Sequence, residues 1–196
     1  MTFARSLFTI AFLGANTAWA ASQTYVLDPQ HSFPHFSISH LDMSTIHGRF
    51  DKMSGKVVYD AAARTGAIDV KIATASVTTG DGARSDGSRS RDDHLRSADF
   101  FNAAEFPEMH YKSSKLNFNG DRLESVDGTL TLLGVSKPVR MQVTHFKCGP
   151  NPFSKKAMCG ADAEATVKRT DFGMRFGVPA IADEVKLQIN LEAYPE

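Results

Sequence analysis

The sequence predicts an all-β, antiparallel protein of about eight or nine strands, a barrel or a sandwich, with one short helix and one long polar loop. Three observations carry this. Apolar and polar residues alternate with a period of two in run after run, Gly, Pro, Asn and Asp punctuate the runs, and strand signals outnumber helix signals throughout.

In chain order, the first twenty residues stand apart from any fold. Arg5 supplies a basic start, residues 7–13 (Leu-Phe-Thr-Ile-Ala-Phe-Leu) an apolar run, and Ala18-Trp19-Ala20 an A-x-A cleavage pattern, so residues 1–20 read as a secretory signal peptide. The run is far shorter than the roughly 20 residues that cross a bilayer. The 196 residues less these 20 leave a single domain of 176, residues 21–196.

The first strand, 36–39, follows Pro34 and alternates Phe36 and Ile38 with serines. Lys56 to Asp60 is centred on Val57, Val58 and Tyr59, and 67–72 alternates Ala67, Asp69 and Lys71 with Ile68, Val70 and Ile72. Residues 80–90 are small, polar and charged, the composition of a mobile surface loop. They lack the third glycine and the following lysine of a phosphate-cradling loop. Residues 91–97 suit one or two helical turns, since Asp92 and Asp93 sit at the positive end of the helix dipole, and Phe100-Phe101 anchor that helix. Four more alternating runs follow at 129–132, 139–143, 161–167 and 185–191.

Composition excludes several classes. Lys plus Arg is 22 and Asp plus Glu is 22, which argues against a nucleic-acid binder that tracks phosphates, and 42% hydrophobic residues exclude a disordered chain. The two cysteines, Cys148 and Cys159, flank a turn rich in Gly and Pro. In an exported chain such a pair is most simply a structural disulfide, with a redox pair or half a zinc site as the alternatives.

Candidate chemistry is sparse. His31, His35 and His40 invite a metal, but on a strand residues four apart lie about 13 Å from one another, so one ion would need distant ligands as well. His40 shares a face with Phe36 and Ile38, either as a hydrogen-bonded core residue or as a ligand contact. No G-x-S-x-G or H-E-x-x-H signature is present. Asp28, His31 and Ser32 read as a turn, and Arg169, Asp171 and Gly173 as a salt-bridged turn.

Several blocks in order carry a resemblance: Tyr25-x-Leu27-Asp28-x₂-His31-Ser32, Phe36-x-Ile38-x-His40, Gly48-x-Phe50, Asp93-His94-Leu95-Arg96-Ser97-x-Asp99-Phe100-Phe101, Gly128-x-Leu130-Thr131-Leu132-x-Gly134, and Arg169-x-Asp171-Phe172-Gly173. Over essentially the whole chain after residue 20 this resembles the YceI-like polyisoprenoid-binding proteins. The resemblance implies a periplasmic, lipocalin-like barrel of about eight strands that holds a long isoprenoid, a polyprenyl lipid or a prenyl quinone, without catalysis and without a cofactor or resident metal. With the inward parity of the strands it assigns the ligand wall to Phe36, Ile38, His40, Phe50, Tyr59, Ile68, Val70, Leu130, Leu132, Met141 and Leu187. It assigns the mouth, where a head group is recognised, to Arg91, His94 and Arg96. The implied partners are the lipid, a membrane touched transiently during loading, and a second copy in a homodimer, with no nucleic acid. Two other readings stay open: a periplasmic redox accessory using quinone or metal, and a packed barrel acting in stress response.

Overall fold

The structure is a computed structural model that describes residues 22–196; the signal peptide expected at residues 1–20 lies outside the described residues. Among the described residues the fold has eleven strands and one α-helix, besides two short 3-10 turns: β1 Gln23–Leu27, β2 Phe33–His40, β3 Ser44–Phe50, β4 Met53–Asp60, β5 Thr65–Ala73, β6 Val77–Thr78, α1 Arg91–Arg96, β7 Glu108–Asn119, β8 Arg122–Leu132, β9 Val135–Pro150, β10 Ala157–Lys168 and β11 Ile181–Pro195.

All pairings are antiparallel, and the sheet closes where β1 meets β11 in the order β1-β4-β5-β7-β8-β9-β10-β11. The result is a closed eight-stranded barrel, and the sandwich alternative falls. The remaining segments continue its strands. One edge of β11 pairs with β2 from Ile181 to Asn190 and then with β1 from Ala193 to Pro195, so β1 and β2 lie end to end along it. Next to them β4 pairs with β1 and β3 with β2, and beyond these β5 and β6 do the same. Three long strands are therefore each bent once.

The first bend shows how its hydrogen bonds are kept. Ser32 is fully buried, and its hydroxyl donates to the Glu192 carbonyl and accepts from the Glu192 amide, both at 3.0 Å, taking the place of a ladder pair. His31 Nδ1 lies 2.8 Å from Asp28 Oδ2, so Asp28, His31 and Ser32 form the turn that their spacing predicts, with Ser32 engaged elsewhere.

Helix α1 begins at Ser90, whose hydroxyl accepts from the Asp93 amide, and Asp92 and Asp93 occupy its first turn. Asp92 is buried, accepting from both the amide and the hydroxyl of Thr79. Cys148 and Cys159 face each other across β9 and β10 and form a disulfide, with the hairpin tip at 151–156 beyond them.

Candidate functional site

Alternation along the closed barrel sends one side chain in two inward, yet those side chains do not fill the interior. They enclose an apolar cavity of about 570 Å³, within the range of sites for small-molecule and lipid-sized ligands. Strand β2 contributes Phe36, Ile38 and His40, β3 Phe50, β4 Tyr59, β5 Ile68 and Val70, β8 Leu130 and Leu132, β9 Met141 and β11 Leu187, so all eleven expected wall residues border it.

The two ends of the cavity differ. Where β1 starts and β11 finishes, Tyr25, Tyr59, Phe146 and Cys159 form the wall, with Tyr59 edge-on to Phe146 at 5.4 Å between ring centroids. At the other end the wall is made by α1, the 80–90 loop and the segment after β10. Arg84, Arg89 and Phe176 border the cavity there and are exposed, which locates the opening.

His94 sits in this mouth. Its Nε2 lies 2.8 Å from Asp99 Oδ2, and its ring packs edge-on against Phe100 and Phe176, each at 4.9 Å between centroids. Arg91 borders the cavity while its Nε donates to the Thr79 hydroxyl at 2.7 Å. Arg96, expected at the mouth, does not border the cavity. Its guanidinium donates to the carbonyls of Ala75 and Val77, both at 2.9 Å, fastening α1 to the barrel. Of the three closely spaced histidines, His31 bonds Asp28 on a turn, while His35 and His40 border the cavity, His40 opposite Ile181 in the ladder.

Residues outside the sequence-based assignment complete the mouth. Arg169 is 2% exposed, and its donors go to the carbonyls of Ala182 (2.8 Å), Met174 (3.3 Å), Phe176 (2.8 Å) and Ile181 (2.9 Å). The expected salt bridge within the Arg169 to Gly173 turn is therefore replaced by carbonyls, and burial lowers the guanidinium pKa. Asp183 is bonded by the amide and hydroxyl of Thr170, which hold its carboxyl below the usual range. Asp81 anchors the 80–90 loop, accepting from Arg84 Nη2 at 2.6 Å and from the Arg91 amide at 3.1 Å, which brings its carboxyl down to about 2. Among the described residues, the charged side chains that border the cavity are Arg84, Arg89, Arg91 and Arg169, with no carboxylate. A signal for Arg84 and Arg89 existed in the arginine content of the loop, but loop composition alone does not say which way a side chain points.

Deeper inside, Tyr111 is a polar group of the wall. Its hydroxyl lies 3.0 Å from the Val139 carbonyl and 3.2 Å from that of Val126, and burial pushes the phenol pKa up.

A closed antiparallel barrel around an elongated apolar cavity, open at one end, places the chain in the lipocalin-like class of binding barrels. The YceI-like domain matches residues 25–193, and the chain belongs to that family. Protein YceI of Salmonella newport is 35% identical over 188 residues, 94% of each chain. Among solved structures, BcnA of Burkholderia cenocepacia superposes with a TM-score of 0.70 at 25% identity, covering 85% of this chain and 98% of its own. A polyisoprenoid binding domain from Saccharophagus degradans shares the fold, with a TM-score of 0.64 at 20% identity over 89% of this chain and 99% of that one.

Proposed function

We propose that this chain is a periplasmic, non-catalytic carrier that holds a long-chain isoprenoid lipid in the barrel, for transport, storage or isoprenoid metabolism. The cavity carries the reading: it is apolar along its length and ends in a mouth of arginines and one histidine. Such a site accepts a hydrocarbon chain inside and an oxygen-rich head group, a phosphate or a quinone carbonyl, at the opening. The polyisoprenoid-binding relative and the family membership support the same choice. The eleven wall residues would contact the chain, and Arg91 and His94, joined by Arg84 and Arg89, would meet the head group.

Energetics define the mode of action. Each isoprene unit moved from water into an apolar tube contributes about 3 to 4 kcal/mol, so a chain of several units soon exceeds the practical affinity ceiling of about 18 to 21 kcal/mol. Water is thus the wrong reference state. The lipid exchanges between barrel and membrane, where the apolar free energies nearly cancel, and function lies in the kinetics of loading and release.

Solvent extraction of the protein purified from its native compartment, followed by mass spectrometry, tests this. A prenyl lipid at near-stoichiometric level is expected. Its absence, together with failure of delipidated protein to take up prenyl quinones, overturns the proposal, and stoichiometric metal by elemental analysis would favour a redox accessory instead.

A further inference from the structure

One side of the mouth carries exposed apolar side chains, most of them outside the cavity wall. The β2–β3 hairpin places Leu41 and Met43 in solvent at 50% and 88% exposure, and the segment leading into β11 does the same with Phe176 and Val178 at 44% and 39%. The two segments adjoin. The Leu41 amide donates to the Ala180 carbonyl at 2.7 Å, and His40 pairs with Ile181 in the ladder between β2 and β11. Phe176 belongs both to this rim and to the cavity wall, and it packs on His94. Exposed apolar side chains thus extend from the hairpin tip to Phe176 at the cavity wall.

We infer that this rim docks on a phospholipid bilayer, inserting Leu41, Met43, Phe176 and Val178 among the lipid heads so that cargo passes between membrane and barrel without crossing water. The inference rests on the isoprenoid-carrier reading. Two observations select a bilayer over a protein partner. The apolar side chains flank the opening through which an apolar ligand must pass, and Phe176 among them borders the cavity. Charges of both signs are interleaved with the apolar tips, with Asp42 between Leu41 and Met43, Arg175 beside Phe176, and Arg84 paired with Asp81, a complement to a zwitterionic head-group layer. At the opposite end, the residues that border the cavity are buried or half-buried.

The test uses the exported chain and its L41D/M43D variant, both outside the cavity wall. Flotation with phosphatidylcholine vesicles reports docking, transfer of a prenyl quinone between donor and acceptor vesicles reports exchange, and uptake of the same quinone from detergent reports capacity. The variant should keep the wild-type capacity and lose flotation, with transfer slowed by about tenfold or more, the loss expected when two inserting apolar side chains become charged. Transfer at the wild-type rate by the variant overturns the inference. So does a wild-type chain that ignores vesicles and self-associates through this rim instead. If the wild type takes up no quinone even from detergent, the carrier reading fails, and flotation still decides docking on its own.

Discussion

The ring of Tyr111 lies flat over Gly128 on the neighbouring strand, so close that a β-carbon there would sit 2.4 Å from Tyr111 Cζ. Phe36 and Gly48 repeat the arrangement across β2 and β3, with 2.3 Å to Phe36 Cζ. Each glycine lets a large ring lie against the wall rather than across the cavity. Gly128→Ala and Gly48→Ala should each cost about 1 to 3 kcal/mol in chemical denaturation, the usual range for overpacking. Because the displaced ring turns inward, both variants should also bind less prenyl quinone than their stability alone explains.

Arg169 holds the segment that carries Met174, Phe176, Ala182 and Ile181 by its carbonyls. Arg169→Met leaves those carbonyls without a charged donor and should destabilise the barrel by about 3 kcal/mol or more. Arg169→Lys should restore little, since an ammonium cannot reproduce the planar fork. Urea unfolding of the three proteins, read by circular dichroism, checks both statements.

Asp81 ties down the loop at the mouth with a carboxyl pKa of about 2. A folded-state pKa below the unfolded value of roughly 3.9 means the tie is fully present above that value. It is lost as pH falls through the folded-state value. Hydrogen exchange in the 80–90 loop should stay slow down to about pH 4 and rise below it. Asp81→Asn should show the fast, acid-like pattern already at neutral pH, together with faster tryptic cleavage after Arg84.

The Cys148–Cys159 disulfide closes a short hairpin at the end away from the mouth. Replacing both cysteines by serine should lower stability by about 2 to 3 kcal/mol in the chain-entropy description. Extracted lipid from the double variant should match the wild type in kind. A change of ligand class would show that Cys159, which borders the cavity, does more than staple.

Trp19 is the single tryptophan of the sequence and lies in the segment that reads as a signal peptide. Material exported and cleaved after Ala20 should emit as tyrosine only. Tryptophan emission from the exported protein would show that the leader is retained.

How much of this was legible depended on whether the period of two survived. It survived in seven runs, and each falls inside a strand. It failed in β7, where Met109, Tyr111 and Ser113 point inward until an irregularity between Ser113 and Lys115 resets the parity to Leu116 and Phe118. It was masked in β3 because Gly48 occupies an inward position whose volume Phe36 supplies from the opposite strand. The short helix was readable from its cap and acidic first turn, whereas Arg169 was misassigned because carbonyl partners leave no mark in sequence. Whether the barrel is packed or hollow was also unreadable. Parity says which side chains point inward, but not how far apart opposite walls stand.

The chain enters and leaves the barrel at one end. Tyr25 pairs with Pro195, and Gln23 with Tyr59, while the mouth lies at the far end beside Ile181. An attachment at Glu196, whether a fluorophore, a bead or a fusion partner, thus comes out on the side away from the mouth. An immobilised barrel would still face solution with its port unobstructed, ready for single-molecule measurement of filling and emptying.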